Sequence, residues 1–457
     1  MRAMIVLVVA AACGGESTPA LPAWQKDLPA SSAVGTAWQA RGLTTARGIV
    51  HLHSPYSHDA CDGKPRDANG TPDERCLQDL RAAMCTTRID FAALTDHDDS
   101  MADEDFATLL SMRGTDERVG SASRIRCANG HEVLVTVGSE NDLMPIMLDR
   151  HVDGTPQERH DLYNRNDATA AAAFRAASGL VWIAHTESKD LATLRAVAPD
   201  GIEVYNLHAN IDPDIRRDYL GLSSTGALSA AAEFADTNPG HPEPDLALLA
   251  FLSPNRPAID TWNTLLGEGR RVAASAGSDA HQNAIPVAFA DGERGDSYRR
   301  VLRWFANFVI TPSSADPSEI ERGLRDGRVF TAVEMLGTPV GFDAHVEDPS
   351  GAIHEIGSTV PPNSRLVVTV PRLAQYDQRL PAPVIRTRVY RIAPGGNVTE
   401  LTSTTNDNIV LDLGAPGAYR IEISMVPHHL AGYLGDLGPA LAQAELPWIY
   451  VSPFYVP

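Results

Sequence analysis

The sequence predicts an α/β protein, a parallel β/α unit followed by a small antiparallel β sandwich. Three observations carry this. From about residue 45 to 335, amphipathic stretches alternate with short apolar strands, the pattern of parallel β/α architecture. Most of those strands end in His, Asp or Glu, which is how a β/α barrel builds a site at its C-terminal face. After about Leu336 the pattern changes to period-two strands separated by Gly and Pro turns, as in an antiparallel sandwich.

The N-terminus stands apart from the fold. Met1-Arg2 opens the run "AMIVLVVAAAC", too short to span a bilayer but ordered like a secretory signal: a positive residue, an apolar stretch, then small residues. Ala10-Ala11-Ala12-Cys13 resembles a bacterial lipobox, which implies removal of the leader and acylation of Cys13. The alternative is a plain secretory signal with an incidental cysteine. Gly14 after the cysteine favours outer-membrane sorting, because Asp there is the usual retention signal. "GGESTPA" reads as a flexible tether. Residues 1–13 are thus a lipoprotein leader and 14–44 a tether and N-terminal segment.

The β/α unit occupies 45–335. "GIVHLHSPYSHDA" is a strand running into His51 and His53. Alternate residues of a strand share a face, so the two imidazoles project together and could grip one borderline-soft cation. "RCLQDLRAAMCTTRID" has helical periodicity and leads into "FAALTDHDDS". "HEVLVTVGSEN" is a strand ending in Glu140. "DATAAAAFRAASG" is a helix closed by Gly179 as its C′ residue, before "LVWIAHTES" with His185. "GIEVYN" is a strand carrying Glu203 and Asn206. A Gly-, Pro-, Ser- and Asp-rich insertion at about 210–257, with two short helical pieces, is of the kind that covers sites. "AIDTWNTLLGEG" is a helix stopped by glycine, and "RVAASAGSDAH" a strand ending in Asp279 and His281. From 336 to 457, "RLVVTVPRL", "VIRTRVYRI", "NIVLDLG", "AYRIEISMV" and "PWIYVSPFYV" supply the sandwich-like C-terminal strands.

Composition bounds the function. The chain has 457 residues, 43% hydrophobic and 21% charged, enough for a sizeable core. The formal net charge of −20 argues against nucleic acid or an anionic membrane surface as partner. It leaves small anionic substrates open, since metals reverse the sign locally. With Cys13 lipidated, Cys61, Cys76, Cys85 and Cys127 remain. An even number in an exported chain predicts two disulfides, with three possible pairings. Metal thiolates are the competing reading, and no close Cys-x-x-Cys pair supports it.

The hard-ligand residues form an ordered set: His51, His53, Asp59, Asp96, His97, Glu140, His185, Asp279 and His281. Each alone has a bland account. Asp96 or Asp279 could be a helix N-cap, His185 a core histidine, Glu140 a loop acid. One polynuclear metal site explains them together.

"HLHSPYS", "TDHD", "GSE", "IAH" and "GSDAH" resemble the ordered motifs of the PHP family, named for polymerase and histidinol phosphatase. The resemblance spans about Gly48 to His281. It implies a distorted seven-stranded β/α barrel, two or three divalent metals (Zn, Mn or Fe) and hydrolysis of phosphate esters. It further implies that His51, His53 and Asp279 bind a first metal, that Glu140 bridges the first and second, and that His185 binds the second. Asp59, His97 and His281 would form a third site; relatives often place His at the Asp59 position, so a harder metal is expected there. Asp96 could instead orient an imidazole as a supporting acid. His58 could contact substrate phosphate. One departure stands out: the histidine relatives carry shortly after the Glu140 position is absent, leaving His151 to reach back from a loop or the second metal with fewer ligands. His160, His208, His241, His345, His354, His428 and His429 match no motif and are assigned to surface or loop, the 428–429 pair to a solvated turn. Lys64, Arg66, Lys189 and Arg256 are the nearest candidate phosphate-binding cations.

The reading is therefore an exported, lipid-anchored, metal-dependent phosphoesterase. A hydroxide supplied by the metals would attack phosphorus, with Glu140, Asp279 and His58 as the catalytic set. The substrate would be a small molecule or a headgroup. Two alternatives stay open. One is an amidohydrolase or peptidase on the same site; the other is a non-catalytic envelope lipoprotein that binds glycans or metal.

Overall fold

The computed structural model describes residues 21–457. The expected leader and Cys13 lie outside these residues. The elements around the site are β1 (Thr44–Ile49), β2 (Phe91–Leu94), β3 (Glu132–Val137), β4 (Met144–Ile146), β5 (Leu180–Ile183), β6 (Gly201–Asn206), β7 (Ala273–Gly277), β8 (Ala306–Thr311), β9 (Val329–Ala332) and β10 (Leu446–Val456). The chain is a mixed α/β protein with antiparallel sheets in its C-terminal part.

Hydrogen-bonded pairing divides the site-bearing strands between two sheets. β1, β2 and β3 are parallel neighbours. β5, β6 and β7 are parallel, with β4 antiparallel on the edge of β5. Among the described residues no continuous ladder joins the two sets into the barrel expected from the motifs. The seams fall where ligand-bearing loops leave the strands. Between β3 and β4 there is one isolated bridge, Val137 to Leu148, and beside β7 another, Leu52 to Ala280. At the second seam Asn307 of β8 replaces a ladder residue: its side chain accepts from Ala276 N–H and donates to Ala276 C=O. Ala46, Phe91, Leu134, Ile146, Trp182 and Val309, drawn from strands of both sheets, form one buried cluster between them.

The first sheet continues with β8 antiparallel to β1 and β9 antiparallel to β8, and β10 pairs with β9. Beyond β10 lie Gly417–Val426, Val384–Ile392 and Val398–Thr405, so one eleven-stranded sheet crosses residue 336. A second antiparallel sheet contains Ile353–Glu355, Asp343–Glu347, Ser364–Thr369 and Ile409–Leu413, and its inward residues share the main core. The strand Val398–Thr405 is additional to those the sequence predicts: it is a polar edge strand, exposed over most of its length, and carries no alternation.

The helix Glu74–Thr86 begins where Asp73 accepts from the amides of Arg75 and Cys76, and it buries Leu77, Leu80 and Met84. Both disulfides hold it. Cys61–Cys76 ties it to the loop after β1, and Cys85–Cys127 to the segment before β3. The helix Ala168–Ala176 ends differently from expectation. The left-handed residue is Ser178, not Gly179; a Cβ on Gly179 would lie 2.7 Å from Leu148, so close packing is what requires that glycine.

Residues 21–43 are a packed strap. Trp38 is buried against Phe330 and Phe342, and Arg41 forms ion pairs with Asp343 and Glu355. His429 is buried, not solvated: its Nε2–H donates to the Leu336 carbonyl, and burial pulls its pKa down to about 4. No helix among the described residues is long and apolar enough to cross a membrane.

Candidate metal centre

Segments at the ends of β1, β2, β3, β5 and β7 bring His51, His53, Asp59, His97, Glu140, His185, Asp279 and His281 together. His51 and His53 leave β1 with Leu52 turned the other way into the bridge with Ala280. Their Nε2 atoms lie 3.3 Å apart. Each Nε2 is 3.1 Å from Glu140 Oε2 and 3.2 Å from Asp279 Oδ1. Corners of a regular tetrahedron with such edges lie about 2 Å from its centre, the length of a bond from zinc to imidazole nitrogen or carboxylate oxygen.

Hydrogen bonds fix which imidazole nitrogens point inward. His51 Nδ1 is 2.7 Å from Glu203 Oε1, and His185 Nδ1 is 3.1 Å from Glu187 Oε1. An ionised carboxylate only accepts, so each Nδ1 carries the proton. His97 Nδ1–H donates to the Glu140 carbonyl. The Ser57 hydroxyl donates to Asp59 Oδ1 and so accepts from His53 Nδ1–H. The four Nε2 atoms are thereby left to face the centre, as in metal-ligating histidines oriented by their outer hydrogen bonds.

The carboxylates are arranged as bridges. Glu140 Oε2 faces His51 and His53, and its Oε1 lies 3.4 Å from His185 Nε2. Asp279 Oδ1 faces His51, His53 and His281, and its Oδ2 lies 3.0 Å from His185 Nε2. Asp279 Oδ1 is buried with no hydrogen-bond partner, a costly state for a carboxylate oxygen unless a cation faces it. A further group gathers Asp59, His97 and His281 beside His53; His281 Nε2 is 2.8 Å and His97 Nε2 3.4 Å from Asp59 Oδ2. Donor types and mutual distances fit divalent cations of the zinc and manganese kind.

Without cations, charge is balanced by protons. Burial opposes a charged His53, yet the close contacts and negative charges of Asp279 and Glu140 hold its pKa up to about 10. His51 is likewise raised against its burial by Glu140, Asp279 and Glu203. Glu140 and Asp279 are held well below the usual carboxylate range despite burial, with His51 as the main opposing charge. Asp59 is lowered against its burial by His281 and His97.

His185 and Asp279 have φ of +47° and +50°, a left-handed backbone that costs a non-glycine residue about 1 kcal/mol or more. Such strain at two neighbouring ligand positions marks a geometry imposed by the surrounding fold. Gly277 makes room for the buried acid behind His51: a Cβ there would lie 1.9 Å from Glu203 Oε1.

Several expectations are corrected. His151 does not reach the centre. Its Nε2–H donates to the Glu104 carbonyl and its ring packs on Tyr163, because the chain after β4 turns away from the site. Asp96 orients no imidazole; its two oxygens accept from the amide and hydroxyl of Ser54, and burial pushes its pKa up to about 6. His208 is not a peripheral residue: its Nδ1 lies 2.9 Å from Asp279 Oδ2. Glu203 and Glu187 match no motif; the sequence marks Glu203 just as an acid inside an apolar strand. Arg256 lines a separate cavity with Arg388 and Glu422, Arg66 pairs with Glu104, and Lys189 pairs with Asp142. His58 is exposed at the rim, its ring 5.0 Å from that of His97.

No family model and no curated protein matches the chain. Two solved structures do. One is a two-domain protein from Bacteroides vulgatus described as containing a predicted PHP-like metal-dependent phosphoesterase. It is 12% identical, with 90% of this chain and 96% of that chain covered, at a TM-score of 0.34. The other is PsfC from Pseudomonas syringae, 13% identical, covering 61% of this chain and 86% of that one, at a TM-score of 0.31. Likeness at this level says nothing about chemistry. The side chains themselves establish a buried, multi-carboxylate, multi-histidine donor set of the kind that holds several metal ions.

Proposed function

We propose that the protein is an exported metal-dependent phosphoesterase whose two sheets close around the donor set as a distorted barrel. The observation that carries the metal reading is the bridging pair. Glu140 and Asp279 each turn one oxygen to the His51–His53 group and the other to His185, a layout suited to adjacent cations. His51, His53, Glu140 and Asp279 would hold one ion; Asp59, His97 and His281 would hold another. Divalent ions there supply Lewis acidity and a water that ionises near neutral pH.

The chain's own residues do the rest. Glu203, Glu187 and Ser57 keep the imidazole lone pairs inward. Burial of His51, His53, Asp279 and His281 excludes bulk water from the inner side. Substrate must enter from the rim, where His58 is exposed and could donate to a phosphate oxygen. The PHP-like motifs favour a phosphate ester over an amide. Two disulfides support an oxidising compartment, in keeping with a leader that ends at Cys13.

The test uses protein stripped of metal and reloaded with Mn or Zn, assayed against phosphate mono- and diesters and N-acyl amides. Metal-dependent release of phosphate or alcohol is expected. Turnover of amides alone would overturn the phosphoesterase assignment, and no turnover with full metal occupancy would overturn the enzyme.

A further inference from the structure

The residues about 208–255 leave the fold after β6 and return at the helix Arg256–Gly267. Both roots of this insertion converge on Asp279 Oδ2, one directly and the other through Glu187 and His185. At the departing root, His208 sits on the short helix Leu207–Ile211, its Nδ1 2.9 Å from Asp279 Oδ2. At the returning root, the Asn255 amide donates to Glu187 Oε2 at 2.8 Å, and Glu187 Oε1 accepts from His185 Nδ1–H. His185 Nε2 then meets the same Asp279 Oδ2 at 3.0 Å. The roots are also joined to each other: Asn210 accepts from Ser253 N–H, and the Arg216 guanidinium donates to the carbonyls of Asn210 and Phe251.

We propose that His208 is a metal ligand, completing an outer divalent-cation site with His185 and Asp279 Oδ2, and that filling this site locks the insertion. The inference rests on the metal-centre reading and adds to it a ligand that no motif supplies. Two imidazole nitrogens and one carboxylate oxygen make a three-donor set, the protein complement of a site that keeps a position open. His208 thus takes the place left vacant by His151. Because His208 is part of the insertion itself, an ion bound there is bound to the folded insertion only. Linkage then requires the ion to stabilise that segment over its open state. His208 is also the most exposed of these donors, with a side chain 43% accessible, so the outer ion is the one nearest the entrance.

The test counts zinc ions by native mass spectrometry and follows amide exchange in 208–255, both on stripped and reloaded full-length protein. The parent should gain protection in 208–255, by at least about tenfold, as the last ion binds. His208→Ala should hold one ion fewer and show no such gain. Asn255→Ala removes no ligand atom and covers the case in which the first variant misfolds; it should weaken the last ion by about tenfold, in the range for lost supporting contacts. His208→Ala with the parent's stoichiometry, or a parent whose insertion exchanges equally with and without zinc, would overturn the proposal. A parent that binds no zinc at all would instead overturn the metal centre.

Discussion

Glu203 Oε1 lies 2.7 Å from His51 Nδ1, and both side chains are fully buried. The acid sits mid-strand on β6, behind the ligand rather than beside it, and Gly277 leaves the space it fills. Gly277→Ala should therefore force Glu203 to move. About 1–3 kcal/mol of stability should be lost, and metal affinity should fall about 10–100-fold. In a Glu203→Ala background the same change should cost far less, a non-additivity expected of groups in direct contact. Chemical denaturation of the two single variants and the double variant checks this; additive losses would contradict it.

His53→Ala removes a donor that lies 3.1 Å from Glu140 and 3.2 Å from Asp279. It should lose at least one ion and lower turnover by about 10²-fold or more. Glu140→Ala should be as severe, because its oxygens face two groups of histidines. His58→Ala should act mainly on KM. Plasma mass spectrometry and phosphoesterase kinetics on the same preparations decide it, and a His53→Ala protein with full metal content and parental turnover would refute the centre.

The stripped protein should be sensitive to alkali. The His53 pKa is raised in the fold from 6.5 to about 10, so its proton stabilises the native state fully below pH 6.5. That stabilisation is lost as pH rises through about 10. Bound metal replaces the proton, so the loaded protein should not show this fall, and loading at pH 8 should release protons. Urea midpoints across pH 6–10, with and without zinc, test the first part; calorimetry in buffers of different ionisation enthalpy tests the second.

The two disulfides close loops of different length, with sequence separations of 15 and 42. Chain entropy assigns about 3 kcal/mol to Cys61–Cys76 and about 4 kcal/mol to Cys85–Cys127. The paired Cys→Ser variants should lose stability in that order. Thiol titration of the denatured, unreduced protein should find none of the four free.

Cys13→Ser should release the protein from membranes if the small-residue run before it directs acylation. Fractionation of cells expressing each form is the measurement; equal membrane association would remove the lipid anchor from the proposal.

Much of the centre was legible because its parts are local. Each motif places a donor within a residue or two of a strand end, and a period of two tells which residues share a face. What was illegible is defined across space. His208 carries no motif and matters only because its helix turns back over Asp279. His151 stands at a plausible distance from Glu140 in sequence, but spacing does not encode the direction of a loop. The barrel expected from the motifs meets seams at Leu52–Ala280 and Val137–Leu148, where strands serve ligands instead of ladders. Nor does period-two alternation reveal that β10 joins the sheet beside β9.

That placement of β10 has a consequence for the order of events in the cell. The Ser452 hydroxyl on β10 accepts from the amide of Ala274 in β7, the strand that leads to Asp279 and His281. A chain delivered N-terminus first would present His51 and His53 early but lack this flank for Asp279 until Leu446–Val456 had followed. If the chain is exported as proposed, ion capture would follow translocation, and the metal pool of the destination compartment, not of the site of synthesis, would set which ion is taken. A chain truncated before Leu446 should correspondingly fail to retain zinc through gel filtration.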